Sequence, residues 1–489
     1  MKNISESVKK TYGSLPEKAL QIGEGNFLRA FFGTIVEQMN SRGLFNGSIV
    51  MTPPRRWENC AKLKTQDNIY TVLNRGVLNG RVIEQPQIVT SVSRCVDSVL
   101  DWEETKRVVC LEDLKVIVSN TTEAGIRYCK ADSLDNIAAA SYPAKLAALL
   151  YTRFKHFKGA DKKLLILPTE LIEQNGTELQ ECVLKYADDW RFGVDFASWV
   201  DRSCCFANTL VDKIVSGFPF EDYAKTAEKL GYDDPMLVAC EPFLFWAIEC
   251  PKPYRNLFPA DKCGLDIVFC DDIKPYKKRK VRILNGAHTA TVLAAFLCGY
   301  DTVGEMMSDK LFVKYIDRLV YEEIIPAANM DNSFLKSFAA SVFDRFGNPY
   351  IKHKLLDISL NSVSKFNARC KGTLLDAIRL KIDCEITIFS LAALICFYDG
   401  TFQNGVYFGT RGGESEKYEI RDSAEVLRFM SDAWTGSNPV QKILSNKEFW
   451  EIDLSEIDGL EQKVSDRILN IKEKGMRRAI EILLDERND

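Results

Sequence analysis

One short stretch restricts the fold more than any other. Residues 20–23 read as an apolar strand that runs directly into Gly23-Glu24-Gly25-Asn26-Phe27-Leu28-Arg29-Ala30, after which apolar residues recur at helical spacing as far as Met39. Strand, glycine-rich turn and helix in that order let a backbone approach a pyrophosphate at the helix N-terminus, where free N–H groups and the helix dipole favour an anion. The third glycine of a full G-x-G-x-x-G is absent, so the same letters also describe an ordinary tight turn. Further short apolar strands are expected at residues 47–52, 114–119, 164–168 and 265–270. Residues 68–88 alternate around Asn79-Gly80, the pattern of a hairpin inserted into this half.

From Lys280 onward strand signals fade and helical periodicity dominates, at residues 311–325, 334–343, 351–359, 374–381, 386–398, 424–435 and, in pieces, 460–485. The glycine- and charge-rich segment 404–422 reads as a loop. The chain is therefore expected to be α/β: a Rossmann-type dinucleotide-binding domain over residues 1–275 carrying the hairpin, then a mostly α-helical domain over residues 276–489.

Composition narrows the function. A net charge of −4 gives no broad basic field, so neither nucleic acid nor an anionic membrane is an expected partner. The N-terminus lacks the apolar core of a signal peptide, and the longest apolar run, 386–398, is too short to span a bilayer; a cytoplasmic protein is expected. The 15 cysteines include no C-x-x-C pair and fit reduced core thiols. With only three histidines and no clustered ligand spacing, no metal is expected, and any acid–base chemistry falls to the protein. Nothing in the chain fixes an oligomeric state.

Residues 271–300, DDIKPYKKRKVRILNGAHTATVLAAFLCGY, read as one helix: Pro275 suits the first turn, the two aspartates favour its positive end, and Gly299 can close it. Lys280, Asn285 and His288 interrupt its apolar face. On a regular 3.6-residue helix they fall within an arc of roughly 140°. An amine that can lose its proton, an amide and an imidazole suit a carbonyl that becomes an alkoxide. The plainer reading is a solvated basic helix start, Lys277 to Lys280, followed by a core histidine.

KVRILNGAH resembles the K-x4-N-x2-H signature of the polyol-specific long-chain dehydrogenases, the mannitol dehydrogenase family. The surrounding text, from about residue 20 to 476, is similar to the branch that interconverts D-tagaturonate and D-altronate. The resemblance implies an NAD-dependent enzyme in which Lys280 transfers the proton while Asn285 and His288 bind the carbonyl oxygen. It implies a cofactor loop at Gln21, Ile22, Gly23, Glu24, Gly25, Asn26, Phe27, Leu28, Arg29 and Ala30, with Asn120, Thr121 and Glu123 of SNTTEAGI over the nucleotide. Arg55 and Arg56, after the second strand, would suit a 2′-phosphate and leave NADP open. Where mannitol enzymes carry an Asp-Asn pair whose Asn holds the oxyanion, this chain has Glu170-Leu171. Asp357 stands near the position of a family arginine, and Lys277 stands where those enzymes place a proton-relaying Glu. Lys352 and His353 are candidates for a hexuronate carboxylate, or form a basic surface turn. Asp212 either supports the site or is an ordinary paired acid. Fructuronate reductase, a mannitol-type dehydrogenase and a non-catalytic nucleotide sensor are the alternatives.

Overall fold

Six parallel strands form the central sheet of the first half. Glu17–Ile22 lies inside it, with Ser48–Thr52 and then Val92–Cys95 on one side and Val116–Ser119, Leu164–Pro168 and Cys204–Phe206 on the other. Ranked by sequence the order is 3-2-1-4-5-6, that of a dinucleotide-binding sheet, and it reverses beside Glu17–Ile22. Alternation along each strand feeds two cores. Ala19, Ile49, Met51, Val116, Val118, Leu165 and Leu167 enter one, while Leu20, Ile22, Val50, Ile117, Leu164 and Ile166 enter the other. A sheet covered on both faces favours apolar residues on both sides of its inner strands, which is why residues 116–118 and 164–167 read as unbroken apolar runs. The Rossmann-type expectation holds.

The computed structural model describes residues 1–53, 58–122, 124–412 and 416–486. By contacts the chain divides into two units, residues 1–75 with 82–276, and residues 76–81 with 277–489. The first unit holds two further sheets. In one, Val215–Gly217, Val238–Cys240, Tyr70–Leu78 and Arg81–Val89 neighbour one another in that order. In the other, Phe245–Glu249 pairs with both Asp266–Cys270 and Asn208–Asp212. The expected hairpin is the pair Tyr70–Leu78 and Arg81–Val89; its turn residues Asn79 and Gly80 have φ of 52° and 72°, as a two-residue hairpin turn requires.

The second unit is mostly helical. Its centre is Glu385–Phe397, apolar on every side, packed against Gly286–Leu297 and Leu460–Lys474. The buried start of that helix is satisfied by the Glu323 carboxylate, which accepts from Ile386 N (2.8 Å), Thr387 N (2.8 Å) and Thr387 Oγ1 (2.7 Å).

Two expectations fail here. The segment expected to be a loop contains most of an antiparallel sheet, Gly400–Gln403, Val406–Arg411 and Glu416–Glu419. Asn404 and Gly405, at φ 51° and 82°, make the same type of turn as Asn79-Gly80, and Tyr418 stacks on Phe397 at 4.9 Å. Charged residues on its open face hid the alternation. The helix expected at 351–359 shrinks to Leu355–Ile358. Before it the backbone is extended and bound elsewhere: Val303 N donates to His353 O (3.0 Å) and Leu355 N to Asp301 O (2.9 Å).

Candidate active site

In the first unit, the loops after Glu17–Ile22 and Val116–Ser119 meet where the strand order reverses. Gly23 N donates to Thr52 O (2.9 Å) and Asn120 N to Ile22 O (3.2 Å). Gly23 has φ +124°, and a Cβ there would lie 3.0 Å from Asn120 O, so only glycine lets the two loops approach. Gly25 differs. Its φ is an ordinary −65°, and a Cβ there would meet nothing within 4 Å. That open space lies at the start of the helical run Asn26–Ser41.

Around that space the side chains divide sharply. Ile22, Leu28 and Ala30 are packed in the core, and Phe27 stacks on Phe31 at 5.0 Å. Gln21 is buried, with Nε2 donating to Gly23 O (2.7 Å) and Oε1 without a partner. The Arg29 guanidinium is committed to the fold: it donates to Glu24 O (3.1 Å), to Asn26 Oδ1 (2.8 Å) and to Met236 O. Burial pushes the Glu24 carboxyl above its usual range.

Glu170, at the place of the Asp in the Asp-Asn pair, is a strut. Its buried carboxylate accepts from Thr121 N (2.9 Å), Thr121 Oγ1 (3.0 Å) and Ser119 Oγ (3.1 Å), while Asn120 Nδ2 donates to Thr169 O (3.2 Å). These bonds shape the loop Asn120–Thr121 from behind; burial raises the Glu170 pKa despite them. Leu171 is exposed and carries no donor. Asn175 is a structural residue, donating to Pro168 O (3.1 Å), Glu170 O (3.0 Å) and Thr209 O (3.2 Å). Asp212 is buried, not a surface acid. Glu123, Arg55 and Arg56 lie outside the described residues.

In the second unit, the segment expected to be one helix is broken in register. Lys274–Arg279 and Gly286–Leu297 are α-helical, but Lys280–Asn285 forms a π turn between them. The rotation of 100° per residue therefore does not hold across the very residues that carry the motif, and the arc expected from a regular helix is replaced by a widened turn. The basic start is not uniformly solvated. Arg279 is buried over the Phe334 and Phe338 rings, and Arg282 pairs with Asp376 at 2.9 Å.

Asn285 is half-buried, and its amide makes no hydrogen bond among the described residues. His288 stacks on Phe346 at 4.1 Å and 7°, and meets the His353 ring edge-on at 5.6 Å. Its ring nitrogens likewise bond to no described residue. Burial, then the positive groups His353, Arg345, Arg369 and Lys365, push its pKa down to about 3, so the imidazole is neutral at pH 7. Lys280 is half-buried on the same π turn.

Of the two carboxylate candidates, His353 is drawn to His288 while Lys352 is exposed. Three cations to which sequence patterns gave no role, Arg345, Arg369 and Lys365, act on the imidazole as well. Arg369 Nη1 donates to Thr289 Oγ1 (3.2 Å) from a second π turn, Asn367–Lys371, about 80 residues away in sequence. No local pattern announces such a contact.

The sheet order, the glycine turn at its reversal and the helical second unit define a Rossmann-type dehydrogenase with an α-helical partner domain. Residues 17–258 match the family model for the mannitol dehydrogenase Rossmann domain and residues 272–472 that for the mannitol dehydrogenase C-terminal domain. The chain belongs to the mannitol dehydrogenase family and is a dehydrogenase acting on a CH–OH group. It is 40% identical over 477 residues, 95% of this chain and 96% of the relative, to altronate oxidoreductase of Escherichia coli O139:H28, and equally to that of Shigella flexneri. In fold it is similar to a substrate-free D-sorbitol dehydrogenase (TM-score 0.79, 20% identity, 96% of each chain). It is also similar to Pseudomonas fluorescens mannitol 2-dehydrogenase in ternary complex with NAD and D-mannitol (TM-score 0.62, 20% identity, 97% and 96%).

Proposed function

We propose that this chain is an NAD-linked tagaturonate reductase, interconverting D-tagaturonate and D-altronate. The observation that carries this reading is the 40% identity to altronate oxidoreductases along 95% of the chain, unbroken across both units. The open space at Gly25 and the backbone at Gly23 suit a dinucleotide, with Thr121 held in position by Glu170 and Asn120 by Thr169. Bound NAD supplies the hydride acceptor for oxidation, and NADH the donor for reduction.

The protein's own work is proton transfer and charge placement. In reduction the Lys280 ammonium gives its proton to the oxygen of the ketone as it becomes a hydroxyl; in oxidation the free amine takes that proton back. Asn285 donates through its amide, and the neutral His288 donates through one ring N–H, to the same oxygen. Both groups are uncommitted within the described protein, so binding the oxygen breaks no existing bond. Leu171 offers nothing to the oxygen, which leaves this pair to stabilise it.

Lys280→Ala is expected to abolish turnover while leaving NADH binding, read by fluorescence titration, close to wild type. Undiminished turnover overturns the role of Lys280. NADH oxidation assayed with tagaturonate, fructuronate and fructose tests the substrate: fructose turned over as well as tagaturonate defeats the sugar-acid assignment.

A further inference from the structure

A sugar acid brings a full negative charge, which a cation beside the Lys280, Asn285 and His288 group could meet. The segment that best answers is the π turn Asn367–Lys371, which packs against both the π turn Lys280–Asn285 and the helix Gly286–Leu297. Its backbone sits close: a Cβ on Gly286 would lie 3.5 Å from Arg369 O, and Cys370 Sγ donates to Gly286 O at 3.6 Å. From there the Arg369 guanidinium reaches the next residue after His288, at Thr289 Oγ1.

The charge on Arg369 is unanswered. Among the described residues its guanidinium makes one hydrogen bond, to a neutral hydroxyl, and no ion pair. The neighbouring Lys365 donates only to Ile358 O (2.8 Å), again without a carboxylate. Of the nearby acids, Asp422 accepts from the Tyr398 hydroxyl and from Ser423 N (2.8 Å) and reaches Lys365 only through its field, while Asp357 pairs with Arg421 at 3.0 Å. Arg282, on the π turn Lys280–Asn285, shows the contrast, since it is held by Asp376 and Thr373. A half-buried guanidinium without a counter-charge is costly in an empty site and becomes favourable once an anion arrives. Its planar fork matches a carboxylate in two parallel bonds.

We propose that Arg369 is the residue that binds the substrate carboxylate, with Lys365 adding positive field beside it, so that Arg369 rather than the exposed Lys352 makes this site select sugar acids over neutral sugars. This rests on the sugar-acid reading above. The same two charges add, after burial, His353 and Arg345, to what keeps a proton off the His288 imidazole, leaving it able to donate to the ketone oxygen.

The test is the ratio of kcat/KM for tagaturonate to that for a neutral ketohexose. Losing one charged, two-bond contact is worth about a 100-fold fall in that ratio for Arg369→Gln, and Arg369→Lys, which keeps charge but not the fork, is expected to lose about tenfold. A ratio unchanged in both variants, or equal losses on both substrates, overturns the proposal. Calorimetric titration of altronate and of the neutral alditol altritol, with NAD present, reads the same preference without turnover. Altronate losing its advantage in Arg369→Gln supports the assignment; an undiminished advantage overturns it. Wild-type enzyme that fails on tagaturonate but prefers another sugar acid sinks the substrate named above, and Arg369 is then judged on that acid by the same ratio.

Discussion

His288 gives the sharpest quantitative expectation. Its pKa is pushed from 6.5 down to about 3 by burial and by His353, Arg345, Arg369 and Lys365. The unfolded chain therefore binds a proton at this position between those limits and the folded chain does not. Stability is highest above 6.5 and falls with decreasing pH throughout that window. Between about pH 7.5 and about pH 5 the contribution of this one residue works out to about 2 kcal/mol, because the unfolded imidazole is about 1.5 units below its pKa while the folded one is still neutral. Denaturant unfolding of wild type and His288→Asn at the two pH values isolates that difference. Chain-wide NMR of the imidazole resonances checks the cause directly, since only His156, His288 and His353 contribute. The resonance missing from the His288→Asn spectrum is expected to stay unprotonated to the acid limit of folding. A midpoint near 6.5 for that resonance, or equal pH dependence of stability in the two proteins, refutes the electrostatic account of the site.

The nucleotide cradle yields two further expectations. Gly25→Ala adds a methyl into space that the protein leaves open, so the thermal midpoint should be unchanged while NADH affinity falls about tenfold or more; Gly23→Ala, at φ +124°, should destabilise the fold by about 1–3 kcal/mol. Tight NADH binding by Gly25→Ala would mean the pyrophosphate lies elsewhere. Glu170→Ala removes three hydrogen bonds and leaves Thr121 N–H unsatisfied, an expected loss of about 3 kcal/mol with a raised KM for NADH, whereas an unaltered KM would deny that the strut shapes the cofactor loop.

Local chemistry carried much of this protein in plain view. The apolar strands, the glycine turn after Glu17–Ile22, the Asn79-Gly80 hairpin and the all-apolar helix Glu385–Phe397 each depend on residues close in sequence, so backbone preference and periodicity suffice to read them. The same was true of Asn404-Gly405, where the turn signal was present and the charged strands around it misled.

What sequence could not decide is where polar groups spend their hydrogen bonds and how a helix departs from its period. The Arg29 guanidinium goes to backbone oxygens, one of them on Met236, and Glu170 bonds to a loop some fifty residues earlier, because a buried charge must find partners wherever the fold brings them. The π turn at Lys280–Asn285 has no sequence signature, since one extra residue in a turn is stabilised by its packing and not by the residues themselves. Arg369 is the extreme case: its place beside His288 exists only because two bulged helices pack together, and that packing is a property of the assembled chain.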